Sequence, residues 1–390
     1  MKIMYNEDEV KQVLKSILFG EKFPLVVTEE RELIKELQQQ TVLSMLGEKI
    51  EDIPFSNKAK SYCVKYVMNH YAYTHQLLYE QSLLIELMKK NKIPMAILKG
   101  SAAAVNYPTP VYRTSGDIDF IVAEKDFSSA YKIMKENGYQ LLYEEDHVDH
   151  HITLKKDKIV FELHRCPGGL PKGESREVLL KQIYADLEKT EEIEIEGYRI
   201  PILPPLSNGI VLLLHIRSHL YGGLGLRQIV DWMMFADKYL DDQTWNTQFQ
   251  SIFQKSGLDT LAKTVTKMCQ MNLGLSPEIS WCSDVSASLC EQLWSYVMEK
   301  GNFGRKEGME HKGRKFSECN SRLTFIEFMK KLQQDGKRQW KLVRRFPWLA
   351  PFAWIYRLIY YAKYVIIYRK NIREDVKIGK SRAKMIEKLS

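Results

Sequence analysis

The first part of the chain places apolar residues at a helical period. In the stretch YVMNHYAYTHQLLYEQSLLIELMKKNK, apolar positions recur every three or four residues. The stretch ends in a group of lysines, which suit the C-terminal end of a helix, and Pro94 follows as a stop signal. The pattern therefore predicts an N-terminal helical segment over residues 1–92.

A different pattern begins at residue 93, where the runs are short and rich in β-branched and aromatic residues. They are PMAILKG, DIDFIV, YQLLYEE, HHITLKK and KIVFELHR, with one helical stretch at 126–137. A further run, EEIEIEGYRIPIL, alternates with a period of two around a central Glu-Gly, which is a hairpin signal. We therefore predict a mixed β-sheet core over residues 93–203.

Helical spacing returns after Pro204 and Pro205 and continues to about residue 300. A loop rich in Gly and Lys separates these helices from the C-terminal tail, so the prediction adds a helical domain at 204–336 and a tail at 337–390. The length of 390 residues suits two or three domains. The predicted fold class is α+β, a small mixed β-sheet core flanked by N-terminal and C-terminal helical segments.

The net charge of +8 is concentrated in the tail. Residues 337–390 hold 15 Lys and Arg against three acids, a net charge of +12, so residues 1–336 carry −4. A long nucleic acid needs Lys and Arg along its phosphates, and this acidic balance disfavours such a substrate. The basic tail indicates only that the last segment meets something anionic.

The tail is also rich in aromatic residues, in the stretch RRFPWLAPFAWIYRLIYYAKYVIIYRK. Two prolines and the charges of Arg357 and Lys363 interrupt it, whereas a spanning helix needs about 20 residues without interior charge. Two alternatives remain for the tail. It lies on an anionic membrane surface, or it packs as a helix whose basic side chains extend to water.

The cysteines and the N-terminus bear on the compartment. The six cysteines form no CxxC pair, and the first 20 residues lack the uninterrupted apolar run of a secretory signal. We therefore expect a cytoplasmic protein, peripheral at the inner face of the membrane if the tail binds there.

Two aspartates, Asp117 and Asp119, interrupt a run with the composition of a buried strand. Residues two apart on a strand share a face, so these carboxylates repel each other unless a cation lies between them. Glu162 is flanked by Phe161 and Leu163 and is predicted to point away from the apolar face as well. Because oxygen ligands favour Mg²⁺ or Mn²⁺, we predict that these three acids hold metal, with room for the two ions used in phosphoryl transfer.

A second candidate element precedes the aspartates, in the stretch LKGSAA. Gly100 and Ser101 follow an apolar strand and precede a helix-like run, where free backbone amides and a hydroxyl can contact phosphate oxygens. Lys99 adds a positive charge there, and Arg113 is a further candidate for contact with phosphate or carboxylate.

A Gly-Ser turn followed by an Asp-x-Asp strand resembles the polymerase-β-type nucleotidyltransferase superfamily. The longer stretch is more similar to one branch, the uncharacterised bacterial nucleotidyltransferases, whose pattern runs Ile-Pro, LKG, Tyr-Pro, Arg and SGDID. The matching residues here are Ile93, Pro94, Leu98, Lys99, Gly100, Tyr107, Pro108, Arg113, Ser115, Gly116, Asp117, Ile118 and Asp119. The resemblance extends through FELHR to LLLHIRSHL and GLRQIVDW, over about residues 75–240. The separation of Ser101 and Asp117 exceeds the minimal superfamily pattern, and this branch fills it with the Tyr-Pro and Arg insert.

The resemblance implies metal-dependent transfer of a nucleoside monophosphate from a nucleoside triphosphate. Asp117 and Asp119 would bind the metal, and the turn at Gly100 and Ser101 would hold the triphosphate, with Lys99 and Arg113 beside it. We expect Glu162 to orient or deprotonate an acceptor hydroxyl, which attacks the α-phosphate and expels pyrophosphate. The acceptor stays open among a small molecule, a glycan intermediate, a protein side chain and an RNA end.

Each of these assignments has a competing interpretation. The aspartates could cap a strand end without metal, Glu162 could lie on a solvated face, and Lys99 and Arg113 could be surface or pairing residues. A polar set at i, i+4 spacing on two helices, His215 and His219 with Arg227 and Asp231, suits a polar core network or a wall that faces the substrate. The histidines of DHVDHH (His147, His150 and His151) lack ordered helical spacing, which disfavours a zinc site. At the level of function, the alternative is a protein that binds nucleotide or a membrane surface without turnover.

Overall fold

The structure, a computed structural model, describes residues 7–22, 26–142, 150–220, 222–302, 325–367 and 372–389. It divides into two compact units, residues 1–305 and residues 306–390. The division into segments at 92, 203 and 336 stays a prediction, since the first unit contains the helices and the sheet on both sides of the first two boundaries.

The first unit is built of helices around one sheet. Its helices are α1 (Glu7–Phe19), α2 (Glu30–Gln39), α3 (Asn57–Lys90), α4 (Gly100–Ala104), α5 (Phe127–Glu136), α6 (Glu174–Leu187), α7 (Pro205–His219), α8 (Leu226–Tyr239), α9 (Asp242–Thr244), α10 (Gln250–Ser256), α11 (Asp259–Leu273) and α12 (Ala287–Lys300). Short 3-10 helices lie at Leu43–Asp52, Pro110–Tyr112 and Glu124–Asp126, and a π-helical turn lies at Trp245–Phe249. The strands are β1 (Met95–Ile97), β2 (Ile118–Val122), β3 (Gln140–Leu141), β4 (His151–Lys156), β5 (Ile159–His164), β6 (Glu191–Ile195) and β7 (Tyr198–Ile202).

Within the described residues, seven strands form one mixed sheet in the order β3-β4-β5-β2-β1-β7-β6. β2 runs parallel to β5 and antiparallel to β1, while β1 runs parallel to β7. The predicted hairpin around Glu196 and Gly197 is confirmed: both residues have positive φ, and β6 pairs with β7 on either side of them. The predicted α+β class, with a mixed sheet between helical segments, is confirmed.

Side-chain alternation divides the sheet into two chemically different faces. Apolar residues of β2, β4 and β5 pack with α3 and α5 in one hydrophobic core, among them Ile118, Phe120, Val122, Leu154, Phe161 and Leu163. Because strand residues alternate between faces, Asp119, Glu162 and His164 lie on the opposite face. α7 meets α4 near that face, where Asn208 donates a hydrogen bond to the Ala102 carbonyl at 3.2 Å.

The second unit consists of α13 (Phe325–Gln339), α14 (Lys341–Arg345), a 3-10 helix (Pro347–Phe352), α15 (Ala353–Ile367) and α16 (Ile372–Leu389). α13 packs against α15, and the Trp340 and Tyr356 rings stack with centroids 5.2 Å apart. Among the described residues, no helix has the length and apolar character needed to cross a membrane.

Candidate active site

The three predicted acids meet on one face of the sheet. Asp119 on β2 is the register partner of Glu162 on the parallel strand β5, so their side chains leave neighbouring positions of the same face. Asp117 lies two residues before Asp119, and carboxylate oxygens of all three acids lie within 4.8 Å of one another. These residues, here called the carboxylate cluster, form an oxygen donor set that fits a divalent cation such as Mg²⁺ or Mn²⁺.

Two basic side chains contact Asp119, which is 5% exposed. Lys99 Nζ lies 2.8 Å and His164 Nε2 lies 2.9 Å from the same oxygen, Oδ1. Burial by itself raises the pKa of Asp119, but the charge of Lys99 and the hydrogen bond from His164 hold that pKa well below its ordinary value. Lys99 and His164 therefore keep Asp119 ionised.

Asp117 has a different electrostatic environment. Burial, together with the negative charges of Asp119 and Glu162, raises the pKa of its carboxyl to about 6. The repulsion expected from the sequence is therefore present, and Lys99 offsets only part of it. An ion between these carboxylates would remove the remaining repulsion.

Lys99 occupies an unusual backbone position at the start of α4. Its φ is 49° and its ψ is −121°, in the positive-φ region that L-residues rarely adopt. Gly100 follows with φ +21°, and a Cβ at this glycine would meet open space, so the backbone there is accessible. The Ser101 hydroxyl lies 3.1 Å from Gln81 Oε1 on α3, which gives it a partner within the protein. The roles of these three residues in nucleotide binding stay predictions.

Arg113 forms a buried ion pair instead of a surface contact. Its Nε and Nη2 donate to Asp231 at 2.6 and 2.7 Å, and Tyr107 also donates to Asp231 at 2.7 Å. Its Nη1 donates to the hydroxyl of Ser115 at 2.8 Å, two residues before Asp117. The structure thus shows the pairing interpretation of Arg113, and a contact with phosphate stays a prediction.

Sequence reasoning missed His164, which the structure places 2.9 Å from Asp119 and 3.3 Å from Glu162 Oε2. Burial lowers its pKa, but the hydrogen bonds to these acids raise the pKa above its ordinary value on balance. His151 is its register partner on β4, and His150 packs against both rings. His147 lies outside the described residues. The signal available in the sequence was the position of His164 two residues after Glu162, which puts both on one face of β5.

The carboxylate cluster opens into a cleft of about 190 Å³. Its lining includes Lys99, Gly100, Asp117, Asp119, His164, Gly168, His215, His219 and Arg227. The helix residues His215, His219 and Arg227 thus form a wall of the cleft, whereas Asp231 belongs to the core network with Arg113. Burial, together with the charges of Lys99 and Arg227, lowers the pKa of His219 to about 4.

Gly169, in the loop after β5, lies very close to the backbone of α7 at the cleft. A Cβ at Gly169, whose φ is +77°, would lie 2.3 Å from the Leu214 carbonyl oxygen on α7. Only glycine allows the loop after β5 to lie this close to α7. The loop and the helix therefore enclose the cleft from one side.

Comparisons with known proteins give a family match and two similar solved structures. Residues 27–274 match a family described as uncharacterised nucleotidyltransferase. Among solved structures, the chain is similar to the antibiotic-resistance factor ANT(2'')-Ia, with 11% identity, a TM-score of 0.32 and coverage of 47% of this chain and 92% of that chain. A second similar structure is an antigenic nucleotidyltransferase-like protein from Paracoccidioides brasiliensis, with 15% identity, a TM-score of 0.34 and coverage of 52% and 94%.

The search of curated proteins gives no match. The family match nevertheless spans more than half of the chain and includes the whole sheet and the cleft. The chain belongs to the family of uncharacterised nucleotidyltransferases, and the protein is a nucleotidyltransferase.

Proposed function

We propose that the protein transfers a nucleoside monophosphate from a nucleoside triphosphate to an acceptor hydroxyl and releases pyrophosphate, with Mg²⁺ or Mn²⁺ at the carboxylate cluster. The observation that carries this proposal is the convergence of three carboxylates within 4.8 Å at the edge of a cleft, in a chain of a nucleotidyltransferase family. Asp117, Asp119 and Glu162 would hold the metal. When bound, it would neutralise charge on the triphosphate and polarise the reacting phosphorus.

The chain's own residues supply the rest of the site. The accessible backbone of Gly100 would approach the triphosphate, with Lys99 and the Ser101 hydroxyl beside it. Glu162 would accept the proton of the acceptor hydroxyl, whose oxygen then bonds to the α-phosphorus as the bond to pyrophosphate breaks. His164, 3.3 Å from Glu162, would orient that carboxylate.

A direct experiment tests the activity. The protein is incubated with each of four labelled nucleoside triphosphates and Mg²⁺, together with cell lysate metabolites, RNA or protein as acceptors. We expect release of pyrophosphate and transfer of label to one acceptor class, both abolished by a chelator. Binding of a triphosphate without any pyrophosphate release would instead support the alternative function, a nucleotide-binding protein without turnover.

We also propose that the second unit contacts an anionic membrane surface. The protein would then be cytoplasmic and peripheral at the inner face of the membrane. The supporting observation is a set of exposed apolar side chains between residues 346 and 360, which are Phe346, Trp348, Phe352, Ile355, Ile359 and Tyr360. Trp348 is 70% exposed, and these side chains lie in a segment with a net charge of +12 over residues 337–390. Apolar and aromatic residues among basic ones suit the interface of an anionic bilayer.

A further inference from the structure

Two histidines converge on Glu162, which is also a member of the carboxylate cluster. His151 on β4 and His164 on β5 are register partners, and Glu162 lies two residues before His164 on the same face. Nε2 of His164 lies 3.3 Å from Glu162 Oε2, and Nε2 of His151 lies 3.8 Å from Glu162 Oε1. The structure therefore brings two imidazole nitrogens and a carboxylate to one point, from strands whose positions the sheet fixes.

The spacing of these atoms suits a metal ion. One donor atom from each of His151, Glu162 and His164 lies within 4.8 Å of the other two. Bonds of roughly 2.0–2.2 Å at the tetrahedral angle separate neighbouring ligand atoms by about 3.3–3.6 Å. The two His–Glu distances of 3.3 and 3.8 Å are close to this range. The rings are also oriented by packing, since the centroid of His150 lies 4.5 Å from that of His151.

The donor chemistry separates this set from the neighbouring one. Mg²⁺ prefers oxygen ligands in near-ideal octahedral geometry, whereas imidazole nitrogen suits first-row transition ions. We propose that His151, Glu162 and His164 form a binding position for a first-row transition ion that discriminates against Mg²⁺. This second position deepens the proposed function and rests on it, because the proposed function supplies the neighbouring ion that Asp117 and Asp119 would hold.

This arrangement makes Glu162 a shared ligand. It belongs to the carboxylate cluster and also to the set with the two histidines. A protein with both positions filled would hold one ion with oxygen ligands only and a second with mixed nitrogen and oxygen ligands. The two positions would then differ in which metal they accept.

Metal retention tests the proposal without measuring transfer. Protein stripped with a chelator is dialysed against Zn²⁺ in the presence of excess Mg²⁺, and the bound metal is measured by elemental analysis. We expect the wild type to retain Zn²⁺ and to unfold at a higher temperature because of it. His151→Gln and His164→Gln should each raise the Kd for Zn²⁺ by at least about tenfold, since even outer-shell partners of a metal ligand affect affinity by that much.

His75→Gln provides a matched control. His75 Nε2 also lies 3.8 Å from a carboxylate oxygen, that of Glu196, but among the described residues no third ligand atom completes a metal-binding set with this pair. We expect its Zn²⁺ affinity to equal that of the wild type. Unchanged Zn²⁺ affinity in both His151→Gln and His164→Gln, or displacement of Zn²⁺ from the wild type by Mg²⁺, would overturn the proposal. His151 is half-buried, so its variant tests the site even if His164→Gln fails to fold.

Asp117→Asn distinguishes this proposal from the proposed function. It leaves the histidine set intact, so the variant should retain Zn²⁺ while it loses nucleotide transfer. A wild type that retains Zn²⁺ but transfers no nucleotide would refute only the proposed function. A wild type that transfers nucleotide but shows no preference for Zn²⁺ over Mg²⁺ would refute only the mixed-ligand position.

Discussion

The guanidinium of Arg113 and the carboxylate of Asp231 form a two-point ion pair across 118 residues of sequence, with N–O distances of 2.6 and 2.7 Å. Arg113 is 3% exposed and Asp231 is 1% exposed. The pair joins α8 to the segment that leads into Asp117, because Arg113 also holds Ser115. It therefore connects a helix of the cleft wall with the strand that carries the aspartates.

Loss of one partner of this pair should destabilise the first unit strongly. Asp231→Asn leaves the guanidinium buried without its counter-charge, and we expect the free energy of unfolding to fall by about 3–5 kcal/mol. Chemical denaturation measures this change. Glu136→Gln, which removes the exposed contact with Lys132, is the control and should change stability little. Similar losses for the two variants would contradict the role given to the buried pair.

Asp117→Asn and Asp119→Asn should each reduce metal-dependent transfer by at least about 100-fold, the scale of losing one group that stabilises developing charge. Their stabilities should differ. Asp117→Asn removes a repelled charge and should unfold at an unchanged or slightly higher temperature, whereas Asp119→Asn leaves Lys99 and His164 without their shared partner. Transfer assays and thermal unfolding measure the two effects.

Asp284→Asn is the matched control for these variants. It removes a carboxylate 2.9 Å from Lys263, almost the distance between Lys99 and Asp119, but it lies on the surface. It should keep full transfer activity. Wild-type turnover in both cleft variants with Mg²⁺ present would show that the metal assignment is wrong.

Glu162→Gln should lose most transfer activity while the fold is retained. The amide keeps the shape of the side chain but neither carries a negative charge nor accepts a proton as a carboxylate does. Glu192→Gln, on the exposed edge strand β6, is the comparison and should behave as the wild type. Full turnover of Glu162→Gln would favour the solvated-face interpretation of this residue and require another base.

His219 should make the first unit less stable in mild acid. Its folded pKa, lowered by burial from 6.5 to about 4, means that the unfolded chain takes up a proton first as the pH falls. The stabilising contribution is complete above pH 6.5 and is lost as the pH falls toward 4. Between pH 7 and pH 5, we expect wild type to lose on the order of 2 kcal/mol more unfolding free energy than His219→Gln. Urea denaturation at both pH values measures these losses. If the wild type and His219→Gln lost the same unfolding free energy between pH 7 and pH 5, the assignment would be wrong.

The full-length protein should sediment with anionic vesicles at low salt and dissociate as salt rises. Each basic residue near such a surface contributes about 1 kcal/mol, an attraction that salt screens. Replacing Trp348 and Phe352 together by Ser should weaken sedimentation, because both are exposed and apolar. Met68→Ser removes a similarly exposed apolar residue from the first unit and should have no effect. Equal sedimentation of all three proteins, or none, would favour the packed-helix alternative for the tail.

Local patterns in the sequence predicted the elements that depend on local spacing. Alternation along β5 was enough to place Glu162 with the aspartates, and the Glu-Gly dipeptide was enough to place the turn between β6 and β7. Long-range contacts carry no such signal. The partner of Arg113 lies 118 residues away, and the contact of His151 with His164 depends on the register of a hairpin that spacing alone does not specify.

Lys99 stands where the backbone favours glycine, and this limits which residues can replace it. Glycine would relieve the positive φ, a strain on the order of 1–3 kcal/mol, but it would leave Asp119 without the ammonium 2.8 Å away. Any shorter L-residue would keep the strain and lose the ion pair as well. The backbone conformation at position 99 therefore favours glycine, whereas the ion pair with Asp119 requires a long basic side chain. Lysine keeps the ion pair and retains the backbone strain.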